Sequence, residues 1–306
     1  MVFILKDIGL VLEGGGMRGA YTAGVLDVFL AKNLVFPYVI GVSAGANNGA
    51  NFVARQFGRS KRIFIDHSQD NRYMGINNFL KDKSYFGMDF IFDTLPQKID
   101  PFAYNVFYEL PTTFKVVLTD CNKGKAEYIS KKNYNPEFFV NKILRASSSL
   151  PLISKPVKVK DNKYLDGGIA DPIPIKKAID DGYRNNVLVL TREKNFRKSK
   201  PKTNLIFELL LRKYPKVVKK LKQRHKHYNQ RLEYINKLER EGKVFVFRPQ
   251  NKVEINRLEQ DQENLRNLYK RGYCETLSDI DNFKNWYETI KNRDKVRINY
   301  GKKLVN

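Results

Sequence analysis

The chain has 306 residues and a mass of 35.7 kDa, enough for one large or two modest domains. Apolar residues make up 42% and aromatic residues 12%, ample material for a buried core, which excludes a disordered or collagen-like chain. Lys and Arg number 56 against 32 Asp and Glu, and a formal charge of +24 points either to a Lys-rich genome or to a polyanionic partner such as nucleic acid or an anionic membrane.

The chain opens on MVFILKDIGLVLEGGG, an apolar run without a preceding basic region and interrupted by Asp7 and Glu13. A glycine loop stands where a cleavage site would follow, so no secretory signal is expected. No stretch approaches the ~20 uninterrupted apolar residues of a membrane span. Two distant cysteines, Cys121 and Cys274, exclude a disulfide framework. A cytoplasmic location is the expectation. Apolar runs predict strands at Ile8–Leu12, Tyr38–Ile40, Phe114–Thr119, Pro156–Lys160 and Asn186–Leu190. Helical patterns lie between them, at Arg18–Leu30, Ala46–Arg55, Pro136–Ala146 and Ile173–Asp180. Such alternation predicts an α/β fold with a mostly parallel sheet covered on both faces. Ala126–Ser130, after Lys123-Gly124, reads as a hairpin partner of strand 114–119, which makes the sheet mixed.

After Thr191 the character changes. Between Arg192 and Arg231 there are 15 Lys or Arg against two acids, Glu193 and Glu208. A long Lys-rich helix, broken at Pro215, is expected over Thr203–Leu238. A short strand follows at Lys243–Phe247, able to join the first sheet, then two amphipathic helices, Asn256–Tyr269 and Ser278–Asn292. The linker-like Arg-Lys-Ser-Lys-Pro-Lys at 197–202 favours a division into a catalytic part, 1–191, and a basic, mainly helical extension, 192–306.

Gly14-Gly15-Gly16-Met17-Arg18-Gly19 follows a strand, opens a helix and fits G-x-G-x-x-G. A dinucleotide site also needs an acid about twenty positions on. That place reads Phe36-Pro37-Tyr38-Val39-Ile40-Gly41-Val42-Ser43, with no acid. A ligand-free tight turn and an oxyanion hole are the other readings. In the latter, exposed backbone N–H groups at a helix N-terminus stabilise developing negative charge. Gly41-Val42-Ser43-Ala44-Gly45 adds weight to it, because G-x-S-x-G between a strand and an Ala-rich helix presents a nucleophilic serine on a strained turn.

A serine needs a base. Ser43…Asp166…His225 or His227 keeps the order of a hydrolase triad. One strand before the nucleophile's own is too few for that fold, however, and Lys222-Gln223-Arg224-His225-Lys226-His227 reads as a solvated helix face. His67 lies in an expected surface stretch. Asp166 is the better candidate: a short strand delivers it, and Gly167 and Gly168 leave room for close approach. Alone, Asp-Gly-Gly would be a plain turn; beside the two glycine motifs it is not.

GGGMRG, GVSAG and DGG, in this order and spacing, resemble the patatin-like phospholipase family, most closely its bacterial cytosolic members. The resemblance runs from about Ile8 to Leu190 and takes in the stretch LRASSSLPL at 144–152 and Asp171-Pro172-Ile173-Pro174. It implies a three-layer α/β fold and a Ser–Asp dyad, with Ser43 as nucleophile and Asp166 as base. Backbone N–H groups of Gly14, Gly15 and Gly16 would form the oxyanion hole, with Arg18 bracing the loop. Gly19, Gly41, Gly45, Gly167 and Gly168 support the motifs; Gly168 replaces an alanine frequent in the family. The expected activity is hydrolysis of phospholipid or lysophospholipid acyl esters. A carboxylesterase or thioesterase on soluble esters, and a catalytically silent lipid-binding protein, are the alternatives. No cofactor or metal is expected, since the cysteines and histidines lack ligand spacing and no calcium-loop pattern is present. Nothing beyond residue 191 follows from the resemblance. The basic segment 192–231 suits a packed helix with a charged solvated face or peripheral contact with an anionic membrane. Nucleic acid is not expected, for lack of a recognition motif. Met74, Met88 and Trp286 are expected in the core.

Overall fold

In the computed structural model, residues 3–200 and 205–303 are described, the side chains of 205–207 and 294–303 excepted. Thr203 and Asn204, where the long basic helix was expected to open, lie outside the described residues, as do the last two residues of the linker-like stretch.

Eight strands build one mixed sheet: β1 Ile8–Leu12, β2 Tyr38–Gly41, β3 Thr113–Asp120, β4 Ala126–Ser130, β5 Val157–Val159, β6 Asn162–Asp166, β7 Asn185–Val189 and β8 Val244–Phe247. The principal helices are α1 Gly19–Ala31, α2 Ala44–Val53, α3 Ile175–Asp180, α4 Pro215–Arg240 and α5 Gln262–Lys303. The strand order is β8-β7-β1-β2-β3-β6-β5, with β4 on the other edge of β3. β8, β7, β1, β2 and β3 run parallel, whereas β4, β5 and β6 pair antiparallel.

β1 and β2 are buried at every position because both faces of the sheet are covered. Along β1, Ile8, Leu10 and Leu12 face a core shared with Phe29, Phe36 and Phe283, while Val11 faces another shared with Ile173, Tyr228 and Ile235. Thus α1, α2 and α5 pack on one face, and α3 and α4 on the other.

α1 is buried nearly all round, from Gly19 to Leu30, because the sheet lies on one side and α5 on the other. The crossing is close: Tyr269 Oη donates to the buried Asp27 carboxylate (2.8 Å) and Tyr21 Oη to Glu275 (2.9 Å). The two helices expected over Asn256–Tyr269 and Ser278–Asn292 are instead one helix, α5, and residues 256–261 form the loop before it. The stretch between the two apolar patterns lacks a proline, so no backbone hydrogen bond is forced open there and the helix runs on. The break at Pro215 is present. A short helix, Leu205–Leu210, ends before it, and Pro215 takes the first position of α4, where a missing N–H costs nothing. The short strand from the extension pairs in parallel with β7, Val244 opposite Asn186 and Phe247 opposite Val189.

Candidate active site

Register brings two of the sequence motifs together. β4 occupies one edge of β3 along Lys115–Thr119, so β2 and β6 must share the other. They approach head to head: β2 ends with Gly41 opposite Val116, and antiparallel β6 ends with Asp166 opposite Leu118. The two strand ends are therefore separated on β3 by Val117 alone. Ser43 follows the first end and Asp166 is the second.

Ser43 sits in a left-handed conformation at φ 54° and ψ −125°, immediately before α2. A non-glycine residue held there stores strain of about 1–3 kcal/mol, which the surroundings must impose. They do so through hydrogen bonds: Ser43 N–H donates to Ser147 Oγ (2.8 Å), and Ser147 Oγ–H donates to Val117 O (2.8 Å). Gly45 lets α2 close on the sheet, since a Cβ there would lie 2.5 Å from Glu13 O.

Asp166 is 3% exposed and Ser43 7%. Asp166 Oδ1 accepts from Gly168 N–H (2.7 Å), and its main chain is pinned by Thr119 Oγ1–H (2.8 Å) and Ser149 O (2.8 Å). Oδ2 is buried and forms no hydrogen bond of regular geometry among the described residues, although the Ser43 hydroxyl is near enough to lower the carboxyl's pKa. Burial is the dominant influence and raises that pKa above the usual carboxylate value, against Ser43, Arg224, the Gly168 amide and Arg257.

The glycine loop passes over the same place. Glu13 N–H donates to Val189 O and Met17 N–H to Arg257 O (both 3.1 Å), whereas no hydrogen bond among the described residues uses the Gly14, Gly15 or Gly16 amides. Gly16 has φ +59°, and a Cβ there would stand 2.6 Å from Arg257 O. Arg18 is buried, with its Nε unpartnered. Gly19 packs against Phe64 and Ala44, Gly41 against the start of α2, and Gly167 against Val117.

Gly14, Gly15, Gly16, Ser43, Asp166 and Gly168 line one narrow cleft with Arg224 and Arg257. At Gly16, Ser43 and Leu150 the cleft meets an apolar cavity of about 90 Å³, walled by Ile63, Phe64, Phe86, Met88, Phe92 and Leu144 among others. Met88, expected only as core, therefore also lines a cavity. Met74 is buried and Trp286 half-buried against the core, its Nε1–H donating to Gly242 O (3.0 Å).

The histidines are not brought to this cleft. His67 pairs with Asp100 (3.1 Å), which also holds Arg62 (2.8 Å). The run 222–227 is not a uniformly solvated face. Lys222, Gln223, Lys226 and His227 are exposed, but Arg224 turns inward and its Nε–H donates to Gly168 O (2.6 Å). Tyr228, one turn on, is buried and donates to Glu13 Oε1 (2.6 Å). Positions 224 and 228 share a helix face, and an aromatic residue four after an arginine was the available signal. The Ser147 bridge and Arg257 were also missed: a serine in LRASSSLPL carries no role by type, and Arg257 arrives from a loop with no motif. Among the described residues no three His, Cys, Asp or Glu side chains cluster as a metal site requires.

A strained serine after a parallel strand, a buried aspartate beside it and a glycine loop across both meet in one cleft of an α/β fold with a mixed central sheet. The patatin-like phospholipase family model matches residues 10–179, more than half of the chain, which therefore belongs to that family. Residues 214–288 match a domain of unknown function, DUF6363. Among curated relatives, the uncharacterized protein YjjU of Escherichia coli K12 is 29% identical over 60% of this chain and 52% of its own length. The probable lipid hydrolase 463L of Invertebrate iridescent virus 6 is 28% identical over 56% of this chain and 62% of its own. The lysophospholipase nte1 of Aspergillus terreus is 27% identical over 56% of this chain and 11% of its own. The chain thus spans about half to three-fifths of the length of the first two. Among solved structures, VipD of Legionella pneumophila superposes with a TM-score of 0.48 at 16% identity, covering 90% of this chain and 67% of that one.

Proposed function

We propose that the protein is a serine acyl hydrolase that cleaves acyl esters of phospholipids or lysophospholipids, with Ser43 as nucleophile and Asp166 as its base. The observation that carries this reading is the shared cleft: a strained serine and a buried carboxylate with a free oxygen open onto an apolar cavity suited to the acyl side of an ester. Ser43 Oγ attacks the ester carbonyl carbon while Asp166 Oδ2 takes its proton. The carbonyl oxygen becomes an oxyanion facing the unengaged amides of Gly14–Gly16, the alcohol leaves with the proton from Asp166, and water then releases the fatty acid. A carboxylate is ordinarily a weak base, and burial makes Asp166 a stronger one. The names of the viral and fungal relatives, a lipid hydrolase and a lysophospholipase, favour a lipid ester.

The small apolar cavity favours a second reading, a carboxylesterase or thioesterase on short soluble esters. A series of p-nitrophenyl esters of increasing chain length separates the two: kcat/KM rising beyond eight carbons supports a lipid substrate, and a fall supports the soluble one.

In this reading residues 1–191 carry the catalytic groups and 192–306 dock on them. The protein works in the cytoplasm and meets the membrane peripherally. Among the described residues no helix is long and apolar enough to cross a membrane. Leu209 and Leu210 are 62% and 64% exposed beside Arg212 and Lys213, a composition suited to an anionic lipid surface.

A further inference from the structure

A second cavity, of about 410 Å³, adjoins the catalytic cleft. The cleft shares Gly14, Pro172, Arg224 and Arg257 with it, and Gly16, Ser43 and Leu150 with the apolar cavity; the two outer cavities share no lining residue. An ester held at Ser43 with its acyl chain in the apolar cavity would leave this second space, across the shared cleft, open to its alcohol.

Its lining is cationic. Arg18, Arg192, Lys198, Arg224 and Arg257 face it, against one carboxylate, Glu13. Glu13 is already engaged, by Thr191 N–H (2.7 Å), Thr191 Oγ1–H (3.1 Å) and Tyr228 Oη–H (2.6 Å). Among the described residues none of the five cations forms an ion pair with an acid. Arg18 is 6% exposed, and the Nε of both Arg18 and Arg192 is buried without a partner. Lys198 lies over the Tyr228 ring, 5.0 Å from its centroid, and Arg192 over Phe196 at 4.9 Å. Burial and the charges of Arg224 and Arg257 depress the Lys198 ammonium to about 7, and burial with neighbouring arginines depresses Arg18 to about 10. Five like charges gathered and partly desolvated around one engaged carboxylate, Glu13, are costly unless a further anion completes them.

We propose that this cavity is the subsite for a phosphate-bearing headgroup on the substrate's alcohol side, a phosphomonoester above all, and that the extension beyond residue 191 contributes to the active site by supplying Arg192, Lys198, Arg224 and Arg257 to it. A dianion matches the cluster better than a zwitterionic phosphodiester, whose ammonium would face the same cations. Guanidinium groups give phosphate paired, charge-assisted hydrogen bonds. This deepens the hydrolase reading and rests on it.

The test compares kcat/KM for a 1-acylglycerol 3-phosphate and the matching uncharged monoacylglycerol in neutral detergent micelles, for wild type, Lys198→Gln, Lys198→Arg and Arg257→Gln. Wild type is expected to prefer the phosphorylated ester. Each Gln variant should lower that ratio by roughly tenfold or more, the effect of losing one charge-assisted hydrogen bond, and Lys198→Arg should restore most of it. A ratio near one in wild type, or equal in all four proteins, overturns the proposal. Inorganic phosphate distinguishes the two sources of such an anion. Competitive inhibition against the phosphorylated ester supports a headgroup subsite; an equal effect on both esters with no headgroup preference identifies a site for free phosphate and overturns it. Should wild type hydrolyse neither ester, the hydrolase reading fails. Calorimetric titration of inorganic phosphate into wild type and Lys198→Gln then reads the cavity alone: binding weakened in the variant upholds the anion site, and no binding overturns it. Thermal unfolding of each variant controls for folding, and removing the repelled Lys198 charge should hold or raise Tm.

Discussion

The Asp166 carboxyl carries two opposed demands. Buried and short of one hydrogen bond, its charged form is disfavoured in the folded protein, so its folded pKa lies above the unfolded one. Above its unfolded pKa the ionised group therefore costs stability, and the cost fades as pH falls through the folded pKa. Asp166→Asn should unfold at a higher temperature than wild type at pH 7 while losing ester hydrolysis; a variant with lowered Tm would mean the carboxylate is stabilised in place. For the same reason activity should fall on the acid side with an apparent pKa above the ordinary carboxylate value. A rate held constant down to that value would remove Asp166 as the base. Gly16 permits a sharper substitution. Gly16→Val meets both a left-handed backbone and Arg257 O, so it should lose roughly 10²–10³ in kcat through the displaced amides and lower Tm through strain of about 1–3 kcal/mol.

At the level of elements, α1 and α5 cross at their glycines. A Cβ on Gly272 would lie 2.2 Å from Tyr21 O, and one on Gly24 2.3 Å from Tyr269 O. Gly272→Val should therefore force the helices apart and destabilise by about 1–3 kcal/mol, each kcal/mol lowering Tm by roughly 2–4 °C. An unchanged Tm would show that α5 is loosely docked. Strand positions were legible from the sequence because apolar runs bounded by turn residues leave little choice; Ile8–Leu12 and Ala126–Ser130 stand where expected. The glycine motifs were legible because backbone geometry limits which residues can sit there. α5 was misread as two helices because the sequence offers no stop signal and no clear continuity. The inward turn of Arg224 was not legible either. Charge runs look alike whether they face water or a cavity, and only the partners, Gly168 O and the neighbouring Tyr228, distinguish them.

At the scale of the molecule, the basic segment 192–231 faces two ways. Arg192, Lys198 and Arg224 line the cavity beside the candidate cleft, whereas most other Lys and Arg residues from Arg212 to Lys226 lie on the surface with Leu209 and Leu210. Each Lys or Arg near an anionic leaflet adds about 1 kcal/mol of attraction, screened beyond about 10 Å at 0.1 M salt. The protein should sediment with phosphatidylserine vesicles at low ionic strength, release as salt rises, and bind less after Leu209→Glu/Leu210→Glu. Equal binding to neutral vesicles would assign the surface charge to solubility instead.

The central claim, that Ser43 and Asp166 act as a dyad without histidine, is tested most directly by hydrolysis of a short-chain p-nitrophenyl ester. Wild type, Ser43→Ala, Asp166→Asn and the double variant His225→Ala/His227→Ala are compared, with fluorophosphonate labelling of each. Wild type and the histidine double variant should hydrolyse the ester and label, Ser43→Ala should do neither, and Asp166→Asn should lose hydrolysis. Loss of activity in the histidine variant with its fold intact, or hydrolysis surviving in Asp166→Asn, would contradict the dyad.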